Sequence, residues 1–290
     1  MDTSYRDVGA ELLEGPLEQH PKGAGGRFGW VIRMRGSRTA GVALAALVGL
    51  TTAPPARGEE AAAPGGGWSL ALTPYVWFTG LDGDIGVIRG LPPVSVDAGF
   101  DDLIENADLA FMLAAEARRG RFGVVTDVTY LGLSADGDTP GPLFDDAEVE
   151  SDTVFATVAG FYQAVAGDGF SLDVFAGARI WYVDTRIGLG AGLLPARSVQ
   201  DDELWADPVV GLRWNAGLGR GFFLAGAADI GGFGVASDVT WQLLGTLGYR
   251  FSDRFAARAG YRHLAVDYED DGFVWDVELS GPIVGATVRF

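Results

Sequence analysis

The 290-residue chain has no cysteine and only two histidines. The first absence excludes a disulfide framework and thiolate chemistry. The second leaves little material for histidine-based catalysis or metal binding. Lysine is missing from residue 59 onward, where 34 acidic residues face 14 arginines for a formal charge of −20. A surface so short of positive charge excludes nucleic acid as a partner, because phosphate binding needs basic side chains. Beyond residue 58 no apolar run reaches the roughly 20 residues that a transmembrane helix requires. A membrane reading therefore has to rest on strands.

Glycine is abundant, at 44 residues, which suits tight turns and barrel bends better than a helical bundle. The last stretch, Phe273 to Phe290 (FVWDVELSGPIVGATVRF), alternates apolar and polar residues and ends on an aromatic. Val284, Ala286, Val288 and Phe290 share one face; Gly285, Thr287 and Arg289 share the other. Phe273, Trp275, Val277 and Leu279 fall on the opposite parity, set against Asp276 and Glu278. A bulge at Gly281-Pro282 would merge both apolar sets into one face, since one inserted residue flips every side chain after it.

The amino-terminal region reads as targeting. Arg35 and Arg38 precede an apolar core from Ala40 to Leu50, and Ala56-Arg57-Gly58 is a small-x-small cleavage site, so residues 34–58 are expected to be a cleaved secretory signal. Residues 1–33 then represent either a start assigned too early or a disordered extension. A short linker, 59–67, leads to the folded part at 68–290.

Ten alternating segments fill that part: 68–79, 109–118, 122–133, 153–163, 170–185, 205–216, 222–230, 239–251, 255–267 and 273–290. Tight turns at Arg119-Gly120-Arg121, Gly167-Asp168-Gly169, Gly217–Gly221 and Ser252-Asp253 alternate with longer acidic loops at 134–150, 186–203 and Glu269-Asp270-Asp271. Together with aromatics at the strand ends, this pattern predicts an all-β, antiparallel, up-and-down transmembrane β-barrel of about ten strands (8–12). Its short turns would be periplasmic and its long acidic loops outside. The range of count reflects Asp84–Val87 and Val94–Asp97, which would add a hairpin if they pair. The segment 80–107, with its helix-like FDDLIENA, offers either a binding loop or a cork for the barrel.

The chain resembles the small outer-membrane β-barrel proteins of Gram-negative bacteria, the OmpA-like and porin-like group. The resemblance is carried by WFTGLDGDIG, by FDDLIENADLAFMLAAEARRGRFGVVTDVTYLGLS and by GYRHLAVDYEDDGFVWDVELSGPIVGATVRF, and it covers residues 68–290. It implies residence in the bacterial outer membrane after export by the signal peptide. It also implies handling by periplasmic chaperones and insertion by the barrel-assembly machinery, which reads the final strand. Val284, Ala286, Val288 and Phe290 would form that assembly signal. The group is defined by fold, so no activity follows.

Parity turns Glu116, Asp127, Asp173, Asp207, Asp229, Asp276 and Glu278 into the lumen, with Arg118, Arg179, Arg213, Arg250, Arg258, Arg262 and Arg289. Seven acids against seven arginines suggest a crosslinked interior, because an unpaired buried charge costs several kcal/mol. The set is read either as the charged constriction of a small porin-like channel or as a salt-bridged structural plug. Ten strands enclose little more than the eight whose side chains fill a barrel, which favours the plug. The outer acids would form a repulsive solvated surface, or gather divalent cations that bridge to lipopolysaccharide among the outer-membrane lipids. Leu81-Asp82-Gly83-Asp84 and Asp267–Asp271 lack calcium-loop spacing, so neither a metal site nor a cofactor is expected. The function expected is non-enzymatic. The alternatives are a surface-binding adhesin barrel and an outer-membrane hydrolase or lipid-modifying enzyme. For the last, His263 is the one histidine of the mature chain; parity with Phe255 and Tyr261 turns it outward, with Asp267 as the nearest expected acid.

Overall fold

A computed structural model describes residues 67–86, 93–98, 107–138 and 142–290. The leader (34–58), the extension before it and the helix-like residues 100–106 lie outside the described residues. Twelve strands occur in order: β1 (Ser69–Trp77), β2 (Gly80–Gly86), β3 (Val94–Ala98), β4 (Ala107–Arg119), β5 (Phe122–Asp138), β6 (Phe144–Gly167), β7 (Phe170–Ala191), β8 (Arg197–Gly219), β9 (Phe222–Gly232), β10 (Val239–Arg250), β11 (Phe255–Asp270) and β12 (Phe273–Arg289). From β4 to β12 each strand pairs antiparallel with the next, and β1 joins β4 to β12, so the sheet closes as a ten-stranded barrel. Near the tight turns closure pairs every wall strand on both sides, as a bilayer demands.

The remaining two strands are the hairpin anticipated at 84–97. β2 continues β1 along β12 in one register: Trp77 faces Ile283, and Gly80 faces Ser280. On its other edge this composite strand pairs with β4 up to Pro74 and with β3 from Leu81.

The bulge expected at Gly281-Pro282 is absent. β12 runs in unbroken register with β11, from Asp270 opposite Phe273 to Phe255 opposite Val288. Gly281 serves a different purpose: a Cβ there would collide with the Phe78 carbonyl of the adjoining strand, and the Gly281 carbonyl accepts from Trp77 Nε1 at 3.2 Å. With parity unbroken, the polarity of the two faces reverses midway along β12. Nearer the carboxy-terminus, Val284, Ala286, Val288 and Phe290 point outward. Nearer Phe273, the large apolar residues Phe273, Trp275, Val277 and Leu279 are buried inside, and Asp276 and Glu278 are exposed outside. These two acids are therefore not lumen residues.

The same reversal runs around the wall. On β7, Phe170, Val174 and Ile180 are exposed outside while Asp173 and Arg179 are buried inside. From two residues further on, Trp181 and Val183 fill the interior and Arg186 is exposed outside. β6, β7 and β8 have 24, 22 and 23 residues, twice the roughly 9–11 needed to cross a bilayer. The segments expected as loops at 134–150 and 186–203 are consequently mostly strand. Outward Glu148, Glu150, Asp152 and Arg186 give these extensions a charged face, which belongs in water rather than lipid. The barrel thus has two storeys. One has an apolar exterior and a charged interior, closed by tight turns; the other projects beyond it with a charged exterior and an aromatic core.

Candidate functional site

The lumen is built in three layers. Nearest the tight turns, inward positions of β4, β7 and β8 bring Glu116, Arg118, Asp173 and Arg213 into a closed ring. Glu116 accepts from Arg118 Nε and Arg213 Nη1, both at 3.0 Å. Asp173 Oδ2 accepts from Arg118 Nη2 at 2.7 Å and Arg213 Nη2 at 2.8 Å. Both guanidiniums lie 4.5 Å from the centre of the Phe161 ring, an attraction of cation and π-face. Gly123 makes room for that ring, since a Cβ there would strike it. Arg250 and Arg258 lie at 5.7 and 5.9 Å from the Phe223 ring, and Arg258 Nη2 donates to Thr287 Oγ1 at 2.9 Å.

The middle layer is one connected network from wall to wall. Arg179 donates to Asp229 Oδ1 at 2.8 Å, to Thr240 Oγ1 at 3.0 Å and to Thr157 Oγ1 at 3.2 Å. Gln242 Nε2 donates to Asp229 Oδ2 at 3.0 Å, and its Oε1 accepts from Arg262 Nε at 2.8 Å. Arg262 Nη1 then reaches the Tyr75 hydroxyl at 2.7 Å and Asp127 Oδ1 at 3.2 Å. Tyr75 donates onward to Asp127 at 2.9 Å and lies 3.2 Å from the Thr129 hydroxyl. Strands β1, β5, β6, β7, β9, β10 and β11 all contribute. Each carboxylate here meets a cation or several donors, as a low-dielectric interior requires.

Above it lies an apolar core. Tyr268 stacks on Trp205 at 4.0 Å and 3°, and Trp205 on Trp181 at 5.7 Å and 9°; Phe155 meets Trp181 at 4.8 Å. Arg262 ties the layers together, its guanidinium 4.7 Å from the Trp77 ring. Asp207, expected among the lumen salt bridges, has a different task at this level. It accepts from the Ser237 amide at 2.8 Å and the Ser237 hydroxyl at 2.7 Å, and that hydroxyl accepts from Trp205 Nε1 at 3.0 Å. The β9–β10 connection is thereby drawn into the barrel mouth. Trp181, Arg179, Asp207, Thr240 and Leu264 are all 0% exposed.

Of the expected lumen residues, Glu116, Arg118, Asp127, Asp173, Arg179, Asp207, Arg213, Asp229, Arg250, Arg258, Arg262 and Arg289 do face inward. Asp276 and Glu278 do not. Tyr75, Thr129, Thr240 and Gln242, to which the sequence analysis gave no role, are the connectors between charges. The aromatic core was missed, because it lies above the level where apolar residues face lipid.

His263 is outward, as parity indicated, stacked 4.4 Å from the Trp241 ring. Asp267, the acid expected beside it, instead faces Asp276 across the strands. The neighbours of His263 are Ser280, directly opposite, and Glu278, whose Oε2 is 4.0 Å from Nε2. Ser280 lies between paired strands on both sides, opposite His263 and Gly80, so backbone amides there are engaged in the ladder rather than arranged as an oxyanion hole. The outer face carries rows of like charge: Asp267 opposite Asp276 and Asp276 opposite Asp84, with Glu278 opposite Asp82 one step away. Burial, then the Asp276 and Asp238 charges, raises the Asp267 carboxyl above its usual range. Burial, then Asp84 and Glu278, does the same for Asp276.

Val284 and Phe290 are 51% and 73% exposed and share the outer face with Ala286 and Val288. Around the wall at this level Leu72, Phe122, Val124, Phe170, Leu212, Phe222, Leu224, Leu247 and Phe255 are exposed too. A band of this size on a closed barrel belongs against lipid. Phe122 with Tyr162 (5.0 Å) and Phe222 with Tyr249 (4.9 Å) form aromatic pairs near the tight turns, as at a membrane interface.

No family model matches the chain, and no curated protein matches it. Among solved structures, the outer membrane protease OmpT from Escherichia coli is similar with a TM-score of 0.56 and 11% identity, over 78% of this chain and 98% of that one. The attachment invasion locus protein Ail of Yersinia pestis follows with a TM-score of 0.34 and 12% identity, over 77% and 99%. At such identities the likeness is one of fold. Closed antiparallel ladder, lipid-facing apolar band and charged lumen agree with it, and the chain has the fold of a Gram-negative outer-membrane β-barrel and resides in that membrane.

Proposed function

We propose that the protein is a non-conducting envelope barrel whose filled lumen braces an extended extracellular storey. The observation that carries this reading is the network from Thr157 through Arg179, Asp229, Gln242 and Arg262 to Tyr75 and Asp127, capped by an aromatic core with fully buried members. Hydrated ions need a water-filled path; against one stand side-chain exposures of 0%, 1% and 3% at Arg179, Asp229 and Arg262, while Asp127 keeps 25%. This supports the structural reading over the porin-like one. The test is conductance in a planar bilayer with a KCl gradient. A folded, heat-modifiable barrel without stable steps is expected. Cation-selective steps that change in an Asp229→Ala variant would overturn the proposal.

A hydrolase is the second reading, favoured by Ser280 and Glu278 beside His263 on the outer wall, on a fold that also serves a protease. The engaged amides around Ser280 weigh against it. Labelling of the wild type by a fluorophosphonate, lost in Ser280→Ala, would move the assignment to an enzyme.

A further inference from the structure

Beside the seam where β1 joins β4, the lipid-facing wall is hollow. Its outward residues form cross-strand rows: Leu70 lies opposite Ala117 and Ala117 opposite Val124, and one step up Leu72 lies opposite Ala115. Phe290 is held beside Leu70 by the bond from its amide to the Leu70 carbonyl. Two methyl groups thus floor a groove whose sides are leucine, valine and phenylalanine, with a volume of about 370 Å³. We propose that this groove seats one acyl chain of a phospholipid of the periplasmic leaflet, with the lipid's phosphate held by arginines at the turn after β4.

Three observations name that occupant. The groove is continuous with the apolar band that meets the bilayer, since Leu70, Leu72, Val124 and Phe290 belong to the exposed set that makes up the band. Its direction fits a chain as well. It follows β4 away from the tight turn, and at roughly 3.4 Å per residue the stretch from Arg119 to Ala115 runs about 14 Å from the interface into the hydrocarbon.

The third observation is the charge at its foot. Arg119 continues the outward parity of Ala115 and Ala117, and is exposed opposite Phe122. Arg121, exposed in the same turn, donates to the Tyr162 hydroxyl at 3.4 Å. Trp68, two residues before Leu70 on β1, is 61% exposed and completes an aromatic row with Phe122 and Tyr162. Such a row marks the headgroup level of a bilayer, where arginine forks onto lipid phosphate. A guanidinium has five donors, so a phosphate oxygen adds to the contacts these arginines already make. Lipopolysaccharide, in the opposite leaflet, does not reach a groove at this end of the barrel.

The test uses the full protein, extracted from outer membranes in a non-ionic detergent and stripped of lipid. Phosphatidylglycerol or phosphatidylcholine is added back and native mass spectrometry reads the bound lipid. Wild type should take up a single phosphatidylglycerol, saturably, and hold it more tightly than phosphatidylcholine, whose choline cation the arginines repel. An Ala115→Phe, Ala117→Phe variant fills the groove and should bind about tenfold more weakly, the loss expected for the contacts of two buried methylenes. An Arg119→Gln, Arg121→Gln variant should still bind but lose the preference between the two lipids. Heat-modifiable migration confirms that each variant is folded, and Ala117→Val serves as the milder filling should the double variant fail. Equal phosphatidylglycerol binding by wild type and a folded, groove-filled variant would overturn the proposal. So would wild-type dimers that the groove-filled variant lacks, which would give the groove to a second copy of the chain.

Discussion

Arg262 donates to the Tyr75 hydroxyl at 2.7 Å, though 187 residues separate them in the chain. The bond passes over β12 and ties β11 to β1, reinforcing the barrel closure from inside. Removing the guanidinium would leave Asp127 and Tyr75 without their cation in a largely buried layer. Arg262→Met is expected to cost roughly 3–5 kcal/mol, since breaking one partner of a buried pair strands the other. Adding Asp127→Leu should restore part of that loss. Urea midpoints of the heat-modifiable band measure both, and a double variant no more stable than the single one would show that the network is not the brace.

How legible was this in the sequence? Wherever a strand crosses the bilayer, period-2 alternation assigned the faces correctly, as with Asp173 and Arg179 against Val174 and Ile180. The rule applied was that apolar means outward, and it holds only at membrane height. Above that height the outside is water, the rule inverts, and Trp275 and Val277 change sides relative to Val284 and Val288. The change of phase in the apolar pattern at Gly281 was the visible signal, and it was read as a bulge because the strand was taken to lie wholly in lipid. Loop boundaries failed for the same reason: charged residues such as Glu148 and Glu150 look like loop but suit the wet face of a strand.

Trp205 holds the upper storey together. It stacks on Tyr268 and Trp181 and donates to Ser237, which anchors the β9–β10 connection through Asp207. Trp205→Ala is expected to lose roughly 3–5 kcal/mol through cavity formation and to flatten the near-UV circular dichroism. Trp205→Phe keeps an aromatic stack and forfeits the Ser237 bond, for a loss of about 1 kcal/mol. If both variants lose the same stability, the stack contributes nothing beyond the hydrogen bond.

The acidic rows give a pH dependence of definite sign. Asp267 and Asp276 have folded-state carboxyls raised above the ordinary range, so the folded chain holds these protons more tightly than the unfolded one. Their contribution favours folding below the ordinary carboxylate range and is lost as pH rises through the folded values. Asp276→Asn removes the central charge of the Asp267–Asp276–Asp84 row. It should stabilise the protein at neutral pH, less so at high salt, and flatten this part of the pH profile. A wild-type-minus-variant difference that does not change with pH would refute the row as its origin.

Phe290 separates folding from assembly. Its backbone is the last rung of the closure, donating to the Leu70 carbonyl at 2.8 Å, but its ring is exposed beside Val284, Ala286 and Val288. A ring that touches so little of the folded barrel adds little to its stability, so Phe290→Ser should shift the urea midpoint of refolded protein by no more than about 0.5 kcal/mol. An assembly factor that reads the strand before closure would instead meet that ring as part of an apolar, one-sided stripe. In cells, the same substitution is expected to lower the yield of heat-modifiable barrel several-fold and to leave unfolded chains in the periplasm. Were yield and refolded stability to fall together, the ring would be a packing residue. Were neither to fall, the stripe would be ordinary lipid-facing wall, and the recognition signal would have to lie elsewhere in the chain.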